Sequence, residues 1–282
     1  MKILEALNWA TTCFAKSGQE NPRLDSELLL ADVLGLKRVD LYLNINQDLT
    51  PQQLSQFKKF VERRIAYEPI AYIIGKTEFM GREFKITPSV FIPRPETELL
   101  VEEILKLPLT THQSPLTIID LGTGCGVIAC SLALVLDCKI YATDISLEAL
   151  FVARENAIQL DVAKRIIFIQ GDLFTPLHNL QVDIIVSNPP YVPTEDWEGL
   201  PKEVKAEPRI ALSGGKEGLG FYRRIIEETP RYLKDNGYLA LEIGINQSQK
   251  IGSMIISTNR FSNPKMIKDY AGIDRIIIAK TR

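Results

Sequence analysis

Histidine and cysteine, the side chains that most often hold transition metals, are scarce in this chain. Its 282 residues include two histidines, His112 and His178, and four cysteines, Cys13, Cys125, Cys130 and Cys138. No two cysteines form a Cys-x-x-Cys pair and both histidines fall in loop-like sequence, so the ligand supply for a metal site is missing and no metal is expected. The cysteines are expected to be reduced and inert, in or near the core. An excess of one charge is lacking too: 33 basic against 35 acidic residues give a net charge of -2, which leaves no overall positive field to recommend nucleic acid as a direct partner. No apolar run reaches the roughly eighteen residues needed to cross a membrane. The start, Met1-Lys2-Ile3-Leu4-Glu5, meets an acid too early for a signal peptide. A cytoplasmic protein without a membrane partner is the expectation.

What the chain does have is 45% apolar residues, enough for ordinary cores, and a length that suits two domains. No internal repeat or low-complexity tract interrupts it. Over residues 1–70 the apolar spacing is helical, with Ile3, Leu4, Leu7 and Ala10, then Leu24, Leu28 and Leu29, then Leu54, Phe57, Val61 and Ile65. Pro22 and Pro51 mark helix starts, and Thr50 stands where an N-cap belongs. Around Gly75 and Gly81 the pattern shifts to Ile73, Ile74, Phe79, Met80, Phe84 and Ile86, which predicts a connecting β-hairpin within residues 71–90.

The remaining residues, 91–282, form one domain. A helix is expected after Pro95, and residues 110–115 are polar and proline-flanked, as a surface connection would be. Strands and helices then alternate: strand 116–121, helix 126–136, strand 139–143, helix 147–159, strand 166–169 and strand 182–187. A helix over 217–233, a strand 238–243, a helix 247–256 and two strands, 265–269 and 275–279, complete the chain. Alternation of this kind predicts an α/β fold, a doubly wound, seven-stranded, Rossmann-like sheet closed by an antiparallel edge hairpin.

Four strand ends carry the chemistry. The first is Asp120-Leu121-Gly122-Thr123-Gly124-Cys125-Gly126, where glycines let the backbone approach a ligand closely. The spacing is Gly-x-Gly-x-Gly, whereas a dinucleotide pyrophosphate is seated by Gly-x-Gly-x-x-Gly. The second strand of the sheet ends in Asp144, a carboxylate able to accept two hydrogen bonds from a ribose diol or to cap the following helix, a task also open to Ser146. Asp172 and Leu173 follow the third strand, where this fold reaches an adenine ring, though an Asx turn is the other reading. The other strand end is Asn188-Pro189-Pro190-Tyr191, after the apolar run Val182, Ile184, Ile185 and Val186. An amide oxygen, a rigid backbone and an aromatic face at a strand's carboxyl end form a grip for a planar NH2 group. Such a grip serves a nitrogen that gives its lone pair to an electrophile, and the common biological electrophile is the sulfonium methyl of S-adenosylmethionine.

The combination of Asp-Leu-Gly-Thr-Gly-x-Gly, an acidic second strand end and Asn-Pro-Pro-Tyr resembles the class I S-adenosylmethionine-dependent amino methyltransferases. Within them the chain looks like the peptide-chain release-factor glutamine N5-methyltransferase family. That narrower likeness rests on the helical N-terminal region, on Phe91-Ile92-Pro93-Arg94-Pro95-Glu96-Thr97-Glu98, and on Leu212-Ser213-Gly214-Gly215-Lys216-Glu217-Gly218-Leu219. It implies S-adenosylmethionine held by Gly122, Thr123, Gly124, Cys125, Gly126, Asp144, Asp172, Leu173 and Asn188. It also implies a catalytic substrate grip of Asn188, Pro189, Pro190 and Tyr191, in which the Asn188 side-chain oxygen and the Pro190 carbonyl accept the two N–H groups. Arg94 would lie over the active site in the substrate-binding segment, and the helical domain would dock a class 1 release factor. On the residues alone, Arg94, Glu96 and Glu98 equally suit a solvated helix start, Gly214 and Gly215 suit an ordinary turn, and Glu242 receives no role. Methyltransferases acting on adenine N6 and on guanine N2 look similar at this position, and a ribosomal-protein glutamine methyltransferase is the nearest alternative. A cofactor-binding regulator without chemistry is the non-enzymatic one.

Overall fold

The helical spacing of the first third becomes five helices in the computed structural model, which describes residues 1–109 and 115–282. They are α1 (Ile3–Ser17), α2 (Pro22–Leu34), α3 (Asp40–Leu43), α4 (Pro51–Ile65) and α5 (Ile70–Ile74). Together with Pro201–Ala206 they make one of two structural units, Met1–Lys76 plus that segment; Thr77–Leu200 with Glu207–Arg282 make the other. Pro22 and Pro51 open their helices, and Thr50 caps α4 in a reciprocal box: Gln53 N donates to Thr50 Oγ1 at 3.2 Å and Thr50 N to Gln53 Oε1 at 2.9 Å.

Ile3, Leu7, Ala10 and Phe14 of α1 pack with Leu29 and Leu30 of α2 and Phe57 and Val61 of α4. Leu4, Leu24 and Ile65, expected inside, are exposed. Beside Leu29 and Leu30, α2 also buries Asp25, Ser26 and Glu27: Asp25 meets Arg64, only 4% exposed, Glu27 pairs with Arg23 and Arg38, and the Ser26 hydroxyl donates to the Pro22 carbonyl. Arg64 Nε donates to Asp25 Oδ2 at 2.7 Å, Nη2 to Glu203 and Nη1 to the Glu68 carbonyl. Burial, with Glu203 adding to it, raises the Asp25 carboxyl's affinity for its proton, and Arg64 opposes that.

The expected hairpin is shorter than residues 71–90. Ile73 and Ile74 close α5, which Pro69 starts and Gly75, at φ +83°, ends; only β1 (Lys76–Phe79) and β2 (Arg82–Lys85) are strands. Their two-residue turn uses Met80 at φ +48° and Gly81 at φ +69°, the left-handed pair that matches strand twist.

The second unit continues with α6 (Pro95–Leu105), β3 (Leu116–Leu121), α7 (Val127–Val135), β4 (Cys138–Asp144), α8 (Leu147–Gln159), β5 (Ile166–Gln170) and β6 (Val182–Ser187). Most of the expected connection over residues 110–115, with His112, lies outside the described residues. After α9 (Lys202–Lys205), which belongs to the helical unit, come α10 (Arg209–Leu212), α11 (Gly220–Glu228), β7 (Leu233–Glu242), α12 (Ser248–Ser257), β8 (Lys265–Lys268) and β9 (Asp274–Lys280). The helix expected over 217–233 is thus cut at both ends. Glu217 and Gly218 take positive φ, so only a 3₁₀ turn, Lys216–Gly218, precedes Gly220 in the expected span, and β7 begins five residues earlier than the expected 238.

The seven strands run in the order β5-β4-β3-β6-β7-β9-β8. β9 alone opposes its neighbours, and the pairs among β5, β4, β3, β6 and β7 are parallel. The chain winds outward from β3 through β4 to β5, then restarts on the other side with β6. That reversal opens a crevice outside the carboxyl ends of β3 and β6, where ligands bind in sheets of this kind. Register there is pinned by Ser187, whose Oγ donates to the Leu121 carbonyl at 2.7 Å.

Candidate active site

A cavity of about 240 Å³ occupies that crevice, lined by the glycine turn after β3, the end of β4, the turn after β5 and Asn188 to Val192. The turn after β3 is shaped by backbone. Gly122 and Gly124 take φ +71° and +56°, and a methyl added to either would meet no protein atom within 4 Å, so their bare faces are open for a ligand. The Gly122 and Thr123 amides donate to the Thr143 carbonyl at 2.8 and 2.9 Å. Gly126 is different in kind: a Cβ there would lie 3.0 Å from Ala153 Cβ, so this glycine permits α7 and α8 to pack closely, and it does not line the cavity.

Asp144 braces the same turn. Its Oδ2 accepts from Gly124 N at 2.8 Å and its Oδ1 from Ser146 N at 2.9 Å, while Ser146 Oγ caps α8. Burial raises its pKa against the pull of those amides. Asp120 is fully buried, gives Oδ2 to the Thr123 hydroxyl at 2.7 Å, and is pushed up to about 7 by burial, with Asp144 adding to the effect. Burial also pushes the Cys125 thiol up to about 12, which keeps it protonated and unreactive. Asp172 lines the cavity, but its carboxylate accepts from Arg224 Nη2 at 2.7 Å. Leu173 is buried at its wall with φ +51°. An open glycine cradle beside a carboxylate and apolar walls fits S-adenosylmethionine.

Asn188 and Tyr191 meet a buried polar chain. Asn188 Nδ2 donates to Thr97 Oγ1 at 3.1 Å, and Thr97 Oγ1 donates to Glu242 Oε2 at 2.7 Å. The Tyr191 hydroxyl reaches Glu242 Oε1 at 3.4 Å, and the Tyr222 hydroxyl donates to the Glu242 carbonyl at 2.9 Å. Burial pushes the Glu242 carboxyl up to about 7; Thr97, Arg275 and Tyr191 pull it down, and Glu96 pushes with burial. Burial likewise lifts the Tyr191 phenol above its usual range, so the ring stays neutral.

The backbone of Pro190 and Tyr191 is clasped from behind. A Cβ on Gly214 would lie 2.6 Å from the Pro190 oxygen, and one on Gly218 2.1 Å from the Tyr191 oxygen. Only bare backbone fits there. Val192 N donates to the Leu212 carbonyl and Gly214 N to the Val192 carbonyl, each at 2.9 Å, while Gln247 Nε2 donates to the Tyr191 carbonyl at 3.1 Å.

Arg94 departs from the expected substrate contact. Its guanidinium pairs with the buried Glu207 and lies over the Phe91 ring, and Phe91 and Pro93 line the cavity while Arg94 does not. Glu98 accepts from Met80 N at 2.7 Å and so ties α6 to the hairpin turn; Glu96 lies 3.9 Å from Arg275. Thr97, Glu242, Gln247 and Asn156 are the polar residues that sequence reasoning left without a role. Asn156, fully buried, binds the Lys85 backbone and donates to the Cys125 carbonyl at 2.8 Å, thereby supporting the glycine turn.

Residues 5–75 match the family described as PrmC N-terminal domain and residues 94–200 the Methyltransferase small domain. A release factor glutamine methyltransferase from Moorella thermoacetica is 42% identical over 285 residues, covering 100% of this chain and 99% of that protein. The chain belongs to the release factor glutamine methyltransferase family. A second such methyltransferase, from Geobacter sulfurreducens, is 41% identical and covers 98% of this chain and 95% of its own. Among solved structures, a T. Thermophilus 16S rRNA guanine-N2 methyltransferase in complex with AdoMet and guanosine superimposes with a TM-score of 0.53 at 18% identity, covering 73% of this chain and 50% of that one. That likeness is one of fold. Membership in this methyltransferase family carries S-adenosylmethionine as the methyl donor. Among the described residues no cluster of His, Cys, Asp and Glu is arranged to hold a metal ion, and no helix is long and apolar enough to cross a membrane.

Proposed function

We propose that this methyltransferase transfers the methyl group of S-adenosylmethionine to N5, the side-chain amide nitrogen, of the glutamine in the Gly-Gly-Gln motif of class 1 peptide chain release factors. One observation carries the reading: Asn188 lines the cavity beside the glycine turn while its Nδ2 is committed to Thr97, which leaves Oδ1 as an acceptor for an incoming N–H. The name shared by the full-length relatives supports the release factor as substrate. Gly122, Thr123, Gly124, Cys125, Asp144, Asp172 and Leu173 hold the cofactor, and the helical unit of α1 to α5 docks the protein substrate.

An amide nitrogen is a poor nucleophile because its lone pair is delocalised into the carbonyl. Asn188 Oδ1 and the Pro190 carbonyl accept its two N–H groups, hold the NH2 in line, and stabilise positive charge as it builds on nitrogen. Bound S-adenosylmethionine supplies an electrophilic methyl on a sulfonium, which departs as a neutral thioether. Alignment of this kind is worth up to roughly 7 to 11 kcal/mol, and the Tyr191 ring face against a cationic centre adds about 0.5 to 2 kcal/mol. The methylated nitrogen becomes acidic and loses its proton.

The test is transfer of labelled methyl from S-adenosylmethionine to purified release factor, beside a Gln→Ala variant of its Gly-Gly-Gln motif, ribosomal protein and duplex DNA. Label on the wild-type factor alone is expected. Label on DNA or on ribosomal protein in its place would overturn the substrate.

A further inference from the structure

An asparagine amide has two faces related by a half-turn, and only one offers oxygen to a substrate NH2. We infer that Thr97 and Glu242 are positioning residues that decide which face Asn188 presents, with the ionised Glu242 carboxylate holding the oxygen outward. The inference deepens the methyl-transfer reading and rests on it.

The logic is a count of protons. Thr97 is 2% and Glu242 1% exposed, so neither has bulk water to complete its hydrogen bonds. An ionised carboxylate only accepts. It therefore takes the single hydroxyl proton of Thr97 at 2.7 Å, and the Thr97 oxygen can then only accept from Asn188. The amide must turn Nδ2 inward, at 3.1 Å, and Oδ1 toward the substrate. A protonated Glu242 lifts that constraint. Its own proton can go to Thr97 Oγ1, which frees the Thr97 proton to point at Asn188, and an amide that accepts it presents NH2 to an incoming NH2, two donors face to face.

The groups around Glu242 divide: burial and Glu96 favour the protonated form, while Thr97, Arg275 and Tyr191 favour the ionised one. From the Asn-Pro-Pro-Tyr turn, the Tyr191 phenol donates to Oε1. From α11, the Tyr222 hydroxyl is occupied by the Glu242 backbone carbonyl, and burial keeps both phenols protonated. From β9, Arg275 provides positive charge, itself held at 3.1 Å by Asp269. From α6, Glu96 provides the opposing negative charge, 3.9 Å from Arg275. Arg94, just before α6, also acts on Tyr191 with its positive charge.

The experiment compares single-turnover methyl transfer to release factor by wild type, Thr97→Val, Thr97→Ser, Glu242→Gln and Asn188→Ala, each with its S-adenosylmethionine affinity from calorimetry. Thr97→Val is expected to lower the rate about 10²-fold, as loss of one preorganised polar group does, with cofactor affinity within about threefold. Thr97→Ser, which keeps the hydroxyl, is expected to restore the rate to within about threefold of wild type. The wild-type rate is expected to climb about tenfold per pH unit below a bend near 7, and Glu242→Gln to flatten that limb. A carboxyl ¹³C titration of the cofactor-free protein, assigned by difference from Glu242→Gln, is expected to show the same midpoint. Full activity in Thr97→Val, equal loss in Thr97→Ser, or a limb that survives in Glu242→Gln would each overturn the inference. Turnover retained by Asn188→Ala would instead overturn the reading beneath it, whereas a dead Asn188→Ala beside a fully active Thr97→Val removes only the positioning role.

Discussion

Two turns stand side by side at the switch point of the sheet, and they are built on opposite principles. The turn after β3 relies on glycine: Gly122 and Gly124 adopt positive φ and leave open faces, and what it offers a ligand is mostly backbone. The turn after β6 relies on proline and long side chains, with Asn188 and Tyr191 wired into Thr97 and Glu242 and the backbone clasped by Gly214, Gly218 and Gln247. Rigidity in the first comes from amides around Asp144, in the second from buried polar side chains that sequence places far apart. On the proposed reading, the first turn holds a large cofactor through many weak contacts and the second holds a small NH2 group through two or three oriented ones.

The sharpest way to test that division is Asn188→Ala. Turnover should fall by about 10³-fold or more while S-adenosylmethionine affinity stays within about threefold; isothermal calorimetry beside single-turnover assays reads both, and equal loss of the two would erase the division of labour. Next comes Gly218→Ala. Its methyl would sit 2.1 Å from the Tyr191 oxygen, on a residue at φ +68°, so the clasp must open. A loss of about 2 to 4 kcal/mol in unfolding free energy is expected by analogy with overpacking plus left-handed strain, together with slower transfer and little change in cofactor affinity.

Glu242→Gln sharpens the comparison through stability. The wild-type carboxyl is raised from 4.5 to about 7, so its burial is harmless while protonated, below 4.5, and its stabilising contribution is lost as pH rises through 7. The unfolding free energy of the Gln variant relative to wild type should therefore grow by roughly 2 to 3 kcal/mol between pH 5 and pH 8, seen as diverging urea midpoints. A constant difference would mean that Glu242 does not titrate there. The smallest expected effect is that of Asp144→Ala, which should weaken cofactor binding by about tenfold, one hydrogen-bonded charge's worth, and leave the rate at saturation nearly intact.

Legibility in the sequence tracked the range of the interactions. β3, α8 and β6 lie over the expected residues because their boundaries are set locally, by glycine, by the Ser146 cap and by Asn-Pro. The structure brings the turn residues Gly122, Gly124, Asp144 and Asn188 to one cavity, and that placement was legible for the same reason. What was not legible depended on partners remote in the chain. Thr97 reads as a spacer between Glu96 and Glu98 until β7 brings Glu242 to it across 145 positions. Asp25 breaks the apolar pattern of α2 because Arg64, 39 residues beyond, meets it there. Arg94 reads as a free cation before Glu207, 113 residues later, claims it. The short helix α5 was missed because five residues between Pro69 and Gly75 carry too little periodicity to tell a helical turn from a strand.

The helical unit is discontinuous in sequence, since Pro201–Ala206 belongs to it and Glu203 meets Arg64 inside it. For anyone exchanging this helical unit, proposed above to dock the substrate, between members of the family, the module is therefore not the first 76 residues alone. A chimera joined at residue 76 alone would set a foreign α4 against the host's own Glu203. The graft must include six further residues from the middle of the catalytic half, which makes this architecture resistant to simple domain shuffling.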